Sequence, residues 1–254
     1  MRSIAVASGK GGVGKTSLAV HIAAGAAAAA ERVLLVDLDH GAHATKWLLG
    51  GRQDVGIAEA MTGTADAAFY VRLVENRDGL WIAPASNGLQ TVEAQLSNTF
   101  GRETILRDLL QAQRKKLDLV VIDCPPGVGF LTQSAIFAAD KVIVPVMAGF
   151  MGIDGLVDIR KLVGQIRTRG RSKVDLAGAV LFAADEREGV TEGTRESLRK
   201  LGAADIFRAE VRVSTAGKLL PSNRALAFDP GADPRGAEDY RAILKETKAR
   251  LASR

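Results

Sequence analysis

The 254-residue chain contains a single cysteine, Cys124. No disulfide framework can form within it and no Cys-rich metal site can be built, which points to a reducing compartment. Long hydrophobic runs are also missing. The longest apolar stretch, Leu18 to Ala30, is mostly alanine, contains His21 and is too short to span a bilayer, so a buried helix is expected there. No secretory signal is evident, because Met1-Arg2-Ser3 leads directly into an apolar run. Internal repeats, low-complexity linkers and breaks in composition are absent too. Residues 1–254 are therefore read as one domain.

What is present is an ordinary globular balance, with 47% hydrophobic and 25% charged residues. The net charge of +5 is unevenly placed. Residues 1–127 hold 13 basic and 13 acidic residues, whereas residues 128–254 hold 21 and 16. The excess in the second half hints at an acidic partner such as nucleic acid or anionic lipid.

The most informative stretch is Gly9-Lys10-Gly11-Gly12-Val13-Gly14-Lys15-Thr16-Ser17. Gly9, Gly14, Lys15 and Thr16 match the P-loop pattern, between a predicted strand and a predicted helix. Glycines in such a loop let backbone N–H groups turn inward onto phosphate oxygens, aided by the positive end of the next helix. Lys15 is expected on the β- and γ-phosphates, and the Thr16 hydroxyl on Mg²⁺. Lys10 is a second lysine that the pattern does not require.

Strands and helices alternate along the chain, which predicts an α/β fold: a mostly parallel twisted sheet with helices on both faces. Strands are expected at 32–37, 80–83, 119–123, 142–146 and 176–182, and helices at 102–116, 131–138, 153–169, 191–201 and 238–251. Ligands of such sheets sit at the carboxyl ends of the strands. Asp123 ends one strand, where it could hold Mg²⁺ through water, and Asp37 and Asp39 follow another, where a carboxylate could orient the attacking water. The alternative role for each is to cap the following turn.

Together, Lys10 to Thr16, Val36-Asp37-Leu38-Asp39, Val121 to Pro126 and Val144-Pro145-Val146 resemble the ParA/MinD family of deviant Walker A P-loop ATPases, the ParA partition branch above all. Asp154-Gly155-Leu156, Asp185-Glu186-Arg187, Arg208 to Ser214 and Phe228 to Tyr240 extend the resemblance over nearly the whole chain. It implies that Lys10 is a signature lysine reaching the partner's phosphates in an ATP-bound homodimer, and that Asp39 is needed for hydrolysis. Lys10, Lys15 and Asp39 are then the catalytic candidates, Gly9 to Ser17 the nucleotide loop, and Thr16, Asp39 and Asp123 the metal candidates, with ATP and Mg²⁺ as cofactors. One departure stands out. The family's loop usually reads Pro-Gln-Gly-Asn-Ala-Thr after the aspartate, and here it reads His40-Gly41-Ala42-His43-Ala44-Thr45. His40 and His43 have no evident third metal ligand, which favours a polar switch loop over a metal site.

The branches differ in what the switch acts on. Iron–sulfur and arsenite-pump branches need cysteines that this chain lacks, and a tyrosine-autokinase tail needs more than Tyr70 and Tyr240. The terminal run, Arg241 to Leu251, has too few bulky apolar residues for a membrane-inserting helix and reads as a docking helix. A ParA-type switch remains, and the resemblance implies that it binds double-stranded DNA without sequence preference, sits on the nucleoid in the cytoplasm, and is stimulated by a ParB-like partner. Arg208 and Arg212 match basic positions the family uses for DNA, and Arg167, Arg169, Arg171 and Lys173 are further candidates. The alternatives are a MinD-like membrane or cell-pole positioning ATPase and, from another class, a P-loop metabolic ligase.

Overall fold

Val33–Asp37 and Leu119–Asp123 are buried at every position, as central strands covered on both faces must be. In the computed structural model, which describes residues 1–64, 71–149, 153–169, 172–184, 189–202 and 206–253, they lie at the centre of one eight-stranded sheet. Its strands are β1 (Arg2–Val6), β2 (Val33–Asp37), β3 (Arg72–Leu73), β4 (Leu80–Ala83), β5 (Leu119–Asp123), β6 (Lys141–Met147), β7 (Asp175–Ala184) and β8 (Val211–Arg212). Their spatial order is β3-β4-β2-β5-β1-β6-β7-β8, and every pair is parallel except β3 with β4. This is the expected α/β class.

The helices are α1 (Lys15–Ala28), α2 (His43–Leu49), α3 (Ile57–Thr62), α4 (Leu89–Gln95), α5 (Ile105–Ala112), α6 (Phe130–Ala138), α7 (Asp154–Arg169), α8 (Gly189–Leu201), α9 (Thr215–Leu219) and α10 (Pro234–Ala252). They cover both faces, because successive strand residues point to opposite sides. Ala5, Leu34, Val36, Val120 and Ile122 enter a core with α3 to α7. Ile4, Val6, Val33, Leu35 and Val121 enter a second core with α1, α2 and α10. The alanines of α1 allow close packing there: a Cβ on Gly25 would lie 3.0 Å from Leu244 and 3.2 Å from Phe228. α10 docks on this surface through Tyr240 and Ile243, as the sequence suggested for the terminal run.

Some boundaries differ from expectation. α5 stops at Ala112 because Arg114-Lys115-Lys116 bring nothing apolar to bury, and Arg102–Thr104 form a separate 3-10 turn after Gly101. α10 begins at Pro234 rather than Glu238. The Asp233 carboxylate accepts from Arg235 N–H at 3.0 Å, and a proline in the first turn lacks only an N–H that helix starts leave unpaired. The short elements β3, α4, β8 and α9 carry too little hydrophobic periodicity to be seen in sequence.

His21 joins three parts of the second core. Its Nδ1–H donates to the Ser17 carbonyl at 2.7 Å, while its Nε2 accepts from Ala227 N–H at 3.0 Å. The ring stacks on Tyr240 at 3.8 Å and meets Trp47 and Phe228 edge-on. A proton on Nε2 would face the Ala227 N–H, and burial pushes the imidazole pKa from 6.5 down to about 4. Above pH 6.5 the ring is neutral both folded and unfolded. As pH falls from 6.5 to about 4, only the unfolded chain takes up the proton, so stability is lost in that window. The expected loss is about 3 kcal/mol. Chemical denaturation across this range should show that slope in the wild type and a flatter one in His21→Gln.

Candidate nucleotide site

The site is assembled by register. Val6 of β1 pairs with Asp123 of β5, which pairs with Asp37 of β2. Three neighbouring strands thus end together, and the loop from Ser8 to Gly14 leaves β1, which lies between β5 and β6. Gly14 is the hinge into α1. Its φ of 93° lies in the left-handed region, and a Cβ there would sit 2.4 Å from the Phe182 ring, so no other residue fits without displacement. α1 has no side-chain cap and no acidic residue in its first turn. Its first N–H groups and the positive end of its dipole are left for an anion.

Lys15 is 7% exposed, and its Nζ donates to the Lys10 carbonyl at 2.8 Å. Burial lowers its pKa, and the carboxylates of Asp123 and Asp39 oppose that shift. The ammonium is held inside the loop, where it can turn to an incoming phosphate. Lys10 is more open. Its Nζ makes a 3.6 Å ion pair with the largely exposed Asp154, a contact of little energetic weight.

The carboxylates differ in kind. Asp37 is fully buried and accepts from Thr45 N–H at 2.8 Å, the Thr45 hydroxyl at 2.6 Å and Asp39 N–H at 3.0 Å. It braces the loop that carries Asp39. Asp123 is also fully buried, and neither of its oxygens has a hydrogen-bond partner among the described residues. Burial and the nearby Asp37 raise its pKa well above the usual carboxylate range; the Thr16 hydroxyl and Lys15 oppose this only in part. Two orphaned acceptor oxygens beside a hydroxyl suit a Mg²⁺ ion, which keeps several waters that could donate to them. Thr16 and Asp123 therefore fit the metal role. Asp39 fits it less well, because its Oδ1 accepts from Gly41 N–H at 2.9 Å and its Oδ2 lies 3.0 Å from His43 Nδ1. Among the described residues no three His, Cys, Asp or Glu side chains gather as a metal site.

Two cavities flank the loop. One, of about 660 Å³, is lined by Gly11, Lys15, Thr16, Asp39, His43 and Pro126. The other, of about 590 Å³, lies between Gly12, Gly14 and Phe182 on one side and Val213, Leu219 and Tyr240 on the other. The first holds Lys15, Thr16 and Asp39 and suits phosphates; the second has the size and apolar walls for a base and ribose. The sequence pointed to the first. It gave no sign of the second, whose far wall comes from β8, α9 and the turns before α10.

The basic candidates are dispersed. Arg212 is bound to Asp239, its Nη2 at 2.7 Å, and lies 3.4 Å from Glu238. Arg167 pairs with Asp175 at 2.9 Å. Arg169, Lys173 and Arg208 are exposed and enter no ion pair among the described residues. Arg171 lies outside the described residues, as do Asp185, Glu186 and Arg187.

A central P-loop with an uncapped helix behind it and buried carboxylates on the adjoining strands defines a nucleotide-binding α/β protein. The family described as AAA domain matches residues 1–176. Full-length relatives narrow the class. The chain is 34% identical to the chromosome partitioning protein ParA of Caulobacter vibrioides, over 100% of this chain and 96% of that one. It is 31% identical to the sporulation initiation inhibitor protein Soj of Bacillus subtilis, over 97% and 98%. The chain belongs to the ParA/MinD family of P-loop ATPases. Among solved structures, cobyrinic acid a,c-diamide synthase of Mycobacterium smegmatis with a bound ATP analog and magnesium is similar, at 26% identity and a TM-score of 0.83, covering 96% of this chain and 93% of that one.

Proposed function

We propose that this protein is an ATP-dependent dimerising switch that binds DNA without sequence preference and drives chromosome or plasmid partition, or the positioning of another cargo. ATP and Mg²⁺ are its cofactors, and hydrolysis is slow until a ParB-like partner stimulates it. The observation that carries the reading is the contrast between the two loop lysines. Lys15 is buried within its own loop, whereas the Lys10 side chain is more open and, among the described residues, has only a weak surface pair to leave. A cation placed there can reach the phosphates of a second subunit and offset the repulsion between two facing nucleotides. Hydrolysis, with Asp39 orienting water, would then dissolve the dimer.

DNA binding is supported by the exposed Arg169, Lys173 and Arg208, on segments that flank β7 and β8. Arg212 contributes only where a phosphate displaces Asp239. A MinD-like membrane role is disfavoured by α10, whose Tyr240 and Ile243 are spent on α1. No described helix is long and apolar enough to cross a membrane. The likeness to the diamide synthase favours a second reading, a P-loop ligase, which has no use for Lys10.

With ATP and Mg²⁺ present, arbitrary duplex DNA should be retarded, and ADP should not substitute. Affinity should fall steeply with salt, with a log–log slope of about −0.9 for each phosphate contacted. Arg208→Ala should make the slope shallower by about one. Vesicle pelleting in place of DNA retardation would favour the membrane reading, and neither activity would favour the ligase.

A further inference from the structure

We infer that His43 is a positioning residue for the hydrolytic carboxylate of Asp39, and that Gly41 is glycine so that the imidazole can take this place. The inference rests on the reading of Asp39 given above. A carboxylate can only accept, so the 3.0 Å contact requires Nδ1 of His43 to carry the hydrogen. The other Asp39 oxygen accepts from Gly41 N–H at 2.9 Å, so the carboxylate is held at both ends by its own loop. The His43 ring stands on the wall of the 660 Å³ cavity with Lys15 and Thr16, and it begins α2 four residues after Asp39. Its place leaves no room beside Gly41. A Cβ on Gly41 would lie 2.3 Å from His43 Cε1 and 2.6 Å from Nδ1.

The loop that departs from the family pattern at His40 to His43 is thus a matched set: the imidazole supplies an N–H to Asp39, and a missing side chain makes space for it. A carboxylate fixed in this way faces the phosphate cavity in one orientation and can align a water there. Asparagine at the same position carries its amide nitrogen one bond beyond Cγ, where the imidazole carries Nδ1. It can donate in the same way.

The test is single-turnover hydrolysis of MgATP by the full chain, with nucleotide affinity measured separately. His43→Ala should lower the rate about tenfold, the usual cost of removing a group that orients a reacting side chain, while ATP affinity changes less than about twofold. His43→Asn should recover most of the rate, and His43→Phe, which keeps the ring but not the donor, should not. Gly41→Ala should slow the wild type, because its Cβ would press on Cε1 and Nδ1 of His43 and displace the donor. Wild-type turnover by His43→Ala, or a His43→Asn variant as slow as His43→Ala, overturns the inference. Asp39→Ala is run alongside: undiminished hydrolysis there overturns the role of Asp39 itself, whereas a dead Asp39→Ala beside an active His43→Ala overturns only the role of His43.

Discussion

Lys15→Ala abolishes nucleotide binding at working concentrations while the chain remains folded. The side chain contributes a buried ammonium to the phosphate cavity and stands beside Asp123 and Asp39. Truncating it removes a charge-assisted contact to the phosphates. It also leaves the acidic strand ends facing an anion with nothing between. Loss of one partner of a buried charged pair costs roughly 2–5 kcal/mol, which corresponds to an increase in Kd of about 30-fold to several thousandfold. Titration with a fluorescent ATP analogue reads this directly, and far-ultraviolet circular dichroism controls for folding. A Kd within about threefold of wild type would mean that the phosphates bind elsewhere.

Lys10→Ala gives the complementary result. It binds ATP with near wild-type affinity yet remains monomeric with ATP and Mg²⁺. Among the described residues the Lys10 ammonium pairs within one subunit only with Asp154, at 3.6 Å. The group that positions Lys15 is the Lys10 main-chain carbonyl, which alanine retains. The loss should therefore fall on association. Two facing triphosphates repel strongly in a site from which water is excluded, and removing both offsetting cations should weaken the dimer by at least about a hundredfold. DNA retardation should vanish with it. If Lys10→Ala and Lys15→Ala lose nucleotide affinity alike, the division of labour between the two lysines is wrong.

The centre of this molecule is legible from sequence for a physical reason. Parallel strands buried on both faces must be continuous apolar runs, and Val33–Val36 and Leu119–Ile122 are such runs, so the aspartates that end them had to lie together at the carboxyl ends of the central strands. Gly9 to Thr16 declares itself because few residue types permit that backbone. The periphery is not legible, since β3, β8 and α9 are short and partly exposed and owe their form to what they pack against. Pairings between distant segments are equally hidden. The contact of His21 with Ala227 spans 206 positions, and the ion pair of Arg212 with Asp239 turns an expected bare cation into a tethered one. The departure at His40 to His43 was visible as a change of residues. Its meaning came only from the 3.0 Å contact of His43 with Asp39 and the space beside Gly41.

The central claim is that ATP joins two copies of this chain through Lys10. Sedimentation velocity of Asp39→Ala with saturating ATP and Mg²⁺ tests it most directly, because blocked hydrolysis holds the nucleotide state fixed. A dimer that reverts to monomer with ADP, and that fails to form when Lys10→Ala is added, is the predicted result. A monomer at saturating ATP, or a dimer indifferent to nucleotide and to Lys10, would contradict it.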